Sequence, residues 1–156
     1  MDDITLARAF HVLTVLHWIG GLAFVTLVVL PLSRMMPGAQ GVALFETVEA
    51  RFSGQVRWSV PLAGLTGLWM TLRMDLWARF QDPAFWWMHA MLALWAAFML
   101  LLFVIEPLLH HRIAALALAA PVPVLRRISL LHRVLLTVTA LTVFSAVAGA
   151  HGLFLF

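Results

Sequence analysis

Cysteine, tyrosine and lysine are all missing from this 156-residue chain. Without cysteine there are no disulfides, no thiolate metal sites and no cysteine-ligated iron–sulfur clusters. The same absence fits a segment facing an oxidising compartment. Charge is scarce as well: 11% of residues are charged against 63% hydrophobic, which excludes a water-soluble domain. The length allows about four membrane crossings of roughly 20 residues each, with little left for an extramembrane domain. All the basic side chains are arginine, ten against seven acids, for a net charge of +3. They cluster between apolar runs, so they read as topology-setting loops and not as a nucleic-acid surface.

The expected fold is all-α: one transmembrane domain over residues 1–156, built as an integral membrane four-helix bundle. Helices are expected at about 6–32, 58–76, 84–109 and 128–153. The first apolar run, about Ala9 to Leu32, follows the acidic Met1-Asp2-Asp3. A secretory signal peptide would start basic, be shorter and end in small residues, so the run is read as a retained helix. It stops at Pro31 and the turn-rich Met36-Pro37-Gly38. In the stretch 42–57, Val42, Phe45, Val48, Phe52 and Val56 recur at helical spacing, with Glu46, Glu49 and Arg51 between them. That pattern suits an amphipathic helix lying at the interface or extending the second crossing. Pro61 falls in the first turn of that crossing, and Asp82-Pro83 reads as the cap of the third. Pro121 and Pro123 mark the stretch from His110 to Arg127 as a connection. No convincing internal repeat or low-complexity segment stands out.

Arginine placement sets the expected orientation. Arg34, Arg51 and Arg57 follow the first helix; Arg112, Arg126 and Arg127 follow the third, with Arg133 just inside the fourth. Only Arg8, Arg73 and Arg79 lie on the other side, among Asp2, Asp3, Asp75 and Asp82. The positive-inside rule then puts both termini on the outer, periplasmic side of a bacterial inner membrane, with Trp77, Trp86 and Trp87 in an outer aromatic belt.

Seven histidines in so apolar a chain are the main chemical signal. Imidazole is costly in hydrocarbon unless something pairs with it or coordinates it. By helical rise, His11, His89 and His151 fall in one outer layer, contributed by three helices. His17 lies about 9 Å deeper than His11 and on a different face. His132 lies on the inner side with His110 and His111. Three histidines at matching depth are what a b-type haem or a histidine-bound metal needs, so His11, His89 and His151 are the candidate metal ligands. Arg8 and Arg73 sit near the outer rim, where they would reach haem propionates. Gly20, Gly21, Gly64, Gly67 and Gly149 would admit close helix approach or a flat macrocycle. The competing reading for any one histidine is a hydrogen bond to a hydroxyl or carbonyl, with Thr14, Thr66, Thr71 and Ser145 at hand. His110-His111-Arg112 reads as a solvated or lipid-facing cluster, and the methionines as packing. Glu106-Pro107 reads as a helix-end feature paired with a nearby base, with a proton relay as the alternative.

The stretch His11-Val-Leu-Thr-Val-Leu-His17-Trp18-Ile-Gly20-Gly21 resembles the first helix of the CopD- and HemJ-type membrane proteins. Arg57-Trp58 to Gly64-Leu65-Thr66-Gly67 resembles their second helix, where a Leu-Thr-Gly element recurs. Trp87-Met88-His89-Ala90 is similar to the Trp-Leu-His-Ala start of the HemJ-type third helix. His132-Arg133 and Ala150-His151-Gly152 resemble the CopD-type final helix. The resemblance covers nearly the whole chain and singles out His11 and His89 as principal axial ligands, then His151, then His17. HemJ-type proteins are haem-associated and oxidise protoporphyrinogen; CopD-type proteins are linked to copper uptake or resistance. Met91 departs from the HemJ pattern, which has a lysine there, and this separates haem binding from protoporphyrinogen oxidation.

The leading expectation is a membrane b-type cytochrome carrying haem b. Its work would be electron transport or oxidoreduction with a membrane quinone, a small oxidant or a redox partner protein. The alternative is a CopD-type copper binder or transporter, since imidazole and methionine thioether both suit copper. Met35, Met36, Met70, Met74, Met88, Met91 and Met99 do not, however, make a dense copper motif. A third class is an assembly subunit whose histidines only knit helices together.

Overall fold

A computed structural model describes residues 2–153 of the chain. Their regular structure is helical throughout. Four long helices follow one another: α1 (Asp2–Met35), α2 (Gly38–Arg73), α3 (Pro83–Ala119) and α4 (Pro121–Ala150). After α2 the chain turns at Asp75, which adopts a left-handed φ of 48°, and passes through a 3-10 stretch, Leu76–Gln81. The Asp82 carboxylate then accepts the Ala84 N–H at 2.9 Å beside Pro83, the cap expected from the sequence.

Three of these helices, α1, α3 and α4, are long and apolar enough to cross a membrane, which marks a multi-pass membrane protein. The fourth expected crossing falls short of that standard. Its apolar part, from Trp58 onward, is diluted by Ser59, Gly64, Thr66, Gly67 and Thr71. The amphipathic stretch 42–57 runs unbroken into it, so of the two sequence alternatives the structure takes the extended helix.

The main correction concerns residues 110–127. They form no loop: α3 continues through His110, His111 and Arg112 to Ala119, and Ala120 alone separates it from α4. Pro121 and Pro123 occupy the first turn of α4. Backbone N–H groups there have no intrahelical acceptor in any case, so proline forfeits nothing.

The helices bury small hydroxyls among their apolar contacts and are apolar outside. Thr14, Thr26, Ser53, Thr66, Thr139 and Ser145 are buried, while Leu16, Leu27, Trp58, Leu118, Leu131 and Phe144 are exposed. A soluble domain shows the reverse, and this pattern fits a surface that lies in hydrocarbon. Several hydroxyls satisfy themselves on the carbonyl four residues back, as Thr14 does on Phe10 at 2.9 Å and Thr142 on Val138 at 2.9 Å.

Packing concentrates in two clusters. Mid-length, Trp18 and Leu22 of α1 meet Val56 and Val60 of α2 and Phe98 and Leu102 of α3, with Leu135 and Leu136 of α4 against them. Trp18 stands edge-on to Phe98, with centroids 4.7 Å apart. The second cluster, around Leu30, Val42, Phe45 and Leu125, closes the end that carries most of the arginines. That end is called the arginine-rich end below; the other, near Asp2, Arg73 and Ala150, is the terminal end. At the former, Gly41 lets the Ser33 carbonyl and the Leu125 side chain approach, joining α1, α2 and α4. Other glycines form notches filled by the chain's own rings: Phe52 covers Gly21, Trp95 covers Gly64 and Trp87 covers Gly149. In this fold those three positions are packed by ring side chains.

Both α1 and α3 contain a π-helical stretch, Val25–Val29 and Leu101–Ile105, followed by Pro31 and Pro107. Proline has no N–H, and its ring crowds the carbonyl four residues earlier, here Leu27 and Phe103, inside each widened turn. A single constant offset carries the first π stretch onto the second and Pro31 onto Pro107. It also carries Ser53 onto Ser129, Arg57 onto Arg133 and Thr66 onto Thr142. α1 and α3 therefore share a π–proline bend, while the turns that follow, at Met36-Pro37 and Ala120, do not keep the same offset.

Candidate functional site: the histidine layer and a carboxylate cluster

His11 follows the buried face of α1, between Ala7 and Thr14. Its Nδ1 lies 2.9 Å from the Ala63 carbonyl and 3.1 Å from Thr66 Oγ1, both on α2. A carbonyl oxygen has no proton to give, so Nδ1–H must be the donor. The neutral ring then keeps its lone pair on Nε2, the tautomer and anchoring that metal-bound histidines use. Thr66 spends its own proton on the Leu62 carbonyl at 2.8 Å, which leaves its oxygen free to accept from His11. Gly67 makes room for the ring: a Cβ there would lie 3.3 Å from His11 Cε1.

The other candidates differ in how far they match this arrangement. Exposed His151 donates from Nδ1 to its own Val147 carbonyl at 2.8 Å, which again leaves Nε2 available. His89 is exposed, makes no hydrogen bond among the described residues, and stands edge-on to Phe80 with centroids 5.2 Å apart. Trp87 packs on Gly149, so His89 and His151 lie on either side of that contact, each two residues away. His17 has both nitrogens engaged, Nδ1 with Ser59 Oγ and Nε2 with Gln55 Oε1, each at 3.2 Å, and is the poorest ligand of the set. Among the described residues no three His, Cys, Asp or Glu side chains gather as a metal cluster.

Of the two arginines assigned to propionates, Arg8 is exposed and unpaired among the described residues. Arg73 is committed to Asp3, at 2.8 Å from Nε to Oδ2, tying the end of α2 to the start of α1. Trp87 Nε1 and Trp18 Nε1 are buried donors without a hydrogen-bond partner among the described residues.

A second polar group lies toward the arginine-rich end. Both Glu106 oxygens are 2.7 Å from Ser53 Oγ, and Oε1 is 3.2 Å from Arg57 Nη2. Glu106 thus has the nearby base expected of it. It opens the α-helical turn directly after the second π stretch and lines a pocket of about 270 Å³ with Arg57, Pro107, His110 and His111. Glu49 sits one turn before Ser53, in the mixed part of α2 ahead of its apolar portion. It is half-buried and makes no hydrogen bond or ion pair among the described residues. Burial, then the neighbouring carboxylates of Glu106 and Glu46, push its carboxyl up to about 7. Sequence reasoning passed over Ser53 and Glu49. Their signal was the i, i+4, i+8 run of Phe45, Glu49 and Ser53 on the face that also carries Val56.

Comparison with known proteins found no protein-family model, curated protein or solved structure that matches this chain.

Proposed function

We propose that the chain is a four-helix membrane b-type cytochrome that holds haem b at the terminal end and transfers electrons. In this reading α2 crosses alongside the three apolar helices, and both termini face the outer side of a bacterial inner membrane. The gathering of arginines at the opposite end supports that orientation. The observation that carries the haem assignment is His11: anchored through Nδ1 on Ala63 and Thr66, it offers Nε2 from the buried face of a membrane-length helix. The resemblance of helices 1 and 3 to CopD- and HemJ-type proteins points the same way.

Haem bound there would supply one-electron chemistry. The chain's own residues would hold and orient it. His11 would be one ligand and His89 the second, with His151 its competitor because its Nδ1 is likewise anchored. Arg8 is free to take a propionate, whereas Arg73 would first have to leave Asp3. The unpartnered Trp87 N–H, between His89 and His151, is a further donor for a carboxylate. A membrane quinone or a redox protein docked at the terminal end would be the electron partner.

The visible spectrum of the purified protein tests this. An intense Soret band with sharp α and β bands on reduction is expected, and His11→Ala should abolish or shift it while His17→Ala leaves it unchanged. Parallel spectra of His89→Ala and His151→Ala decide the second ligand. A colourless preparation from haem-replete cells that carries stoichiometric copper would replace the cytochrome with the copper-binding reading.

A further inference from the structure

The carboxylate cluster has an organisation of its own, and no residue in it belongs to the histidine layer. Ser33, Gly41 and Leu125 meet at one level, which gives α1, α2 and α4 a common origin. From that origin the helical rise places Glu49 about 12 Å along α2, His132 about 10 Å along α4 and Val25 about 12 Å along α1. Glu106 reaches the same region from α3 through its bond to Ser53, one turn beyond Glu49. Four helices therefore converge around two acids.

The ionisable groups around the pair come from three of those helices. On α2 they are Glu46 and Arg57. On α3 they are Glu106 itself, with His110 and His111 in the adjoining pocket. On α4 it is His132, which packs edge-on against Phe45 with centroids 6.0 Å apart. The buried face of α1 offers Val25, Thr26, Val29, Leu30 and Ser33, none of them ionisable.

The two carboxyls are held very differently. Glu106 is held by an arginine and a hydroxyl donor. Glu49 has neither, and it faces a fixed negative neighbour from a half-buried position. We propose that Glu49 and Glu106 hold one proton between them, resident on Glu49, and exchange it with the aqueous phase at the arginine-rich end through the Arg57–His110–His111 pocket. One proton adds to the Glu49 carboxylate to give the neutral acid, and no electron moves. The Ser53 hydroxyl, one helical turn from Glu49 on α2, donates to the pocket-lining Glu106. This assignment goes beyond the cytochrome reading and does not depend on it, because its readout needs no haem.

The test is infrared difference spectroscopy of the full chain in lipid nanodiscs, titrated across neutral pH. A protonated-carboxyl C=O stretch should appear as pH falls through neutrality, well above the ordinary glutamate value of about 4.3. Glu49→Gln should remove it. Glu106→Gln, which deletes the neighbouring charge but keeps its shape, should move the midpoint downward, and Glu49→Asp should keep a titrating band. A band that survives Glu49→Gln overturns the proposal, as does a wild-type midpoint at the ordinary glutamate value. A midpoint indifferent to Glu106→Gln would break the pairing. A colourless protein with this titration would sink the cytochrome alone, and a haem spectrum without it would sink the proton site alone.

Discussion

The α1–α2 and α3–α4 hairpins differ least where they bend and most where they carry polar side chains. Each bends at a π stretch two residues ahead of a proline, but the turn to its second helix follows at a different distance, at Met36-Pro37 in the first and at Ala120 in the second. Counted from that bend, fully buried Leu30 in α1 corresponds to Glu106 in α3, and His11 to Trp87. The bend comes from backbone chemistry, since any proline there must displace the carbonyl four residues earlier. The polar sites come from single residues placed on either side of that bend, so neither hairpin has both the anchored histidine and the anchored glutamate.

Copying residues between the hairpins probes the comparison. The largest stability effect is expected at Gly64, where a Cβ would enter the Trp95 indole. Gly64→Ala should cost about 1–3 kcal/mol in unfolding experiments in detergent. Trp95→Ile, which copies Ile19 at the matching position, should recover most of that loss. A double variant no more stable than Gly64→Ala would mean that Trp95 is not what the added Cβ displaces. Glu106→Leu, copying Leu30, comes next: Ser53 and Arg57 lose their acceptor. Because the Arg57 and Glu106 side chains are 41% and 33% exposed, the cost should be only about 1 kcal/mol. A loss of several kcal/mol would show the cluster to be structural first. The smallest effect belongs to Arg73→Ala, whose pair with Asp3 has no counterpart in the second hairpin. A small loss, fading with added salt, is expected of so exposed a pair.

Apolar runs alone locate α1, α3 and α4, and local chemistry correctly marks the Asp82 cap and a basic partner for Glu106. Two physical effects hide the rest. Polar His110-His111-Arg112 and the prolines at 121 and 123 resemble a loop, yet a helix can carry charges at its exposed end and can begin on proline. A π turn also adds a residue, so periodicity counted through Val25–Val29 loses phase with the buried face. The shared bend of α1 and α3 escapes notice because the residues that mark it are few and ordinary. At the site, Thr66 was among the candidate hydroxyl partners for a histidine, whereas Glu49 read as one charge of an interfacial helix. Its burial depends on α3 and α4, which no local pattern contains.

Ala120 has a consequence for biosynthesis. With one residue between α3 and α4, the chain has no loop to pass across a bilayer between them. Once α3 has emerged, α4 follows with one residue of slack, so the pair is expected to enter the bilayer as a helical hairpin.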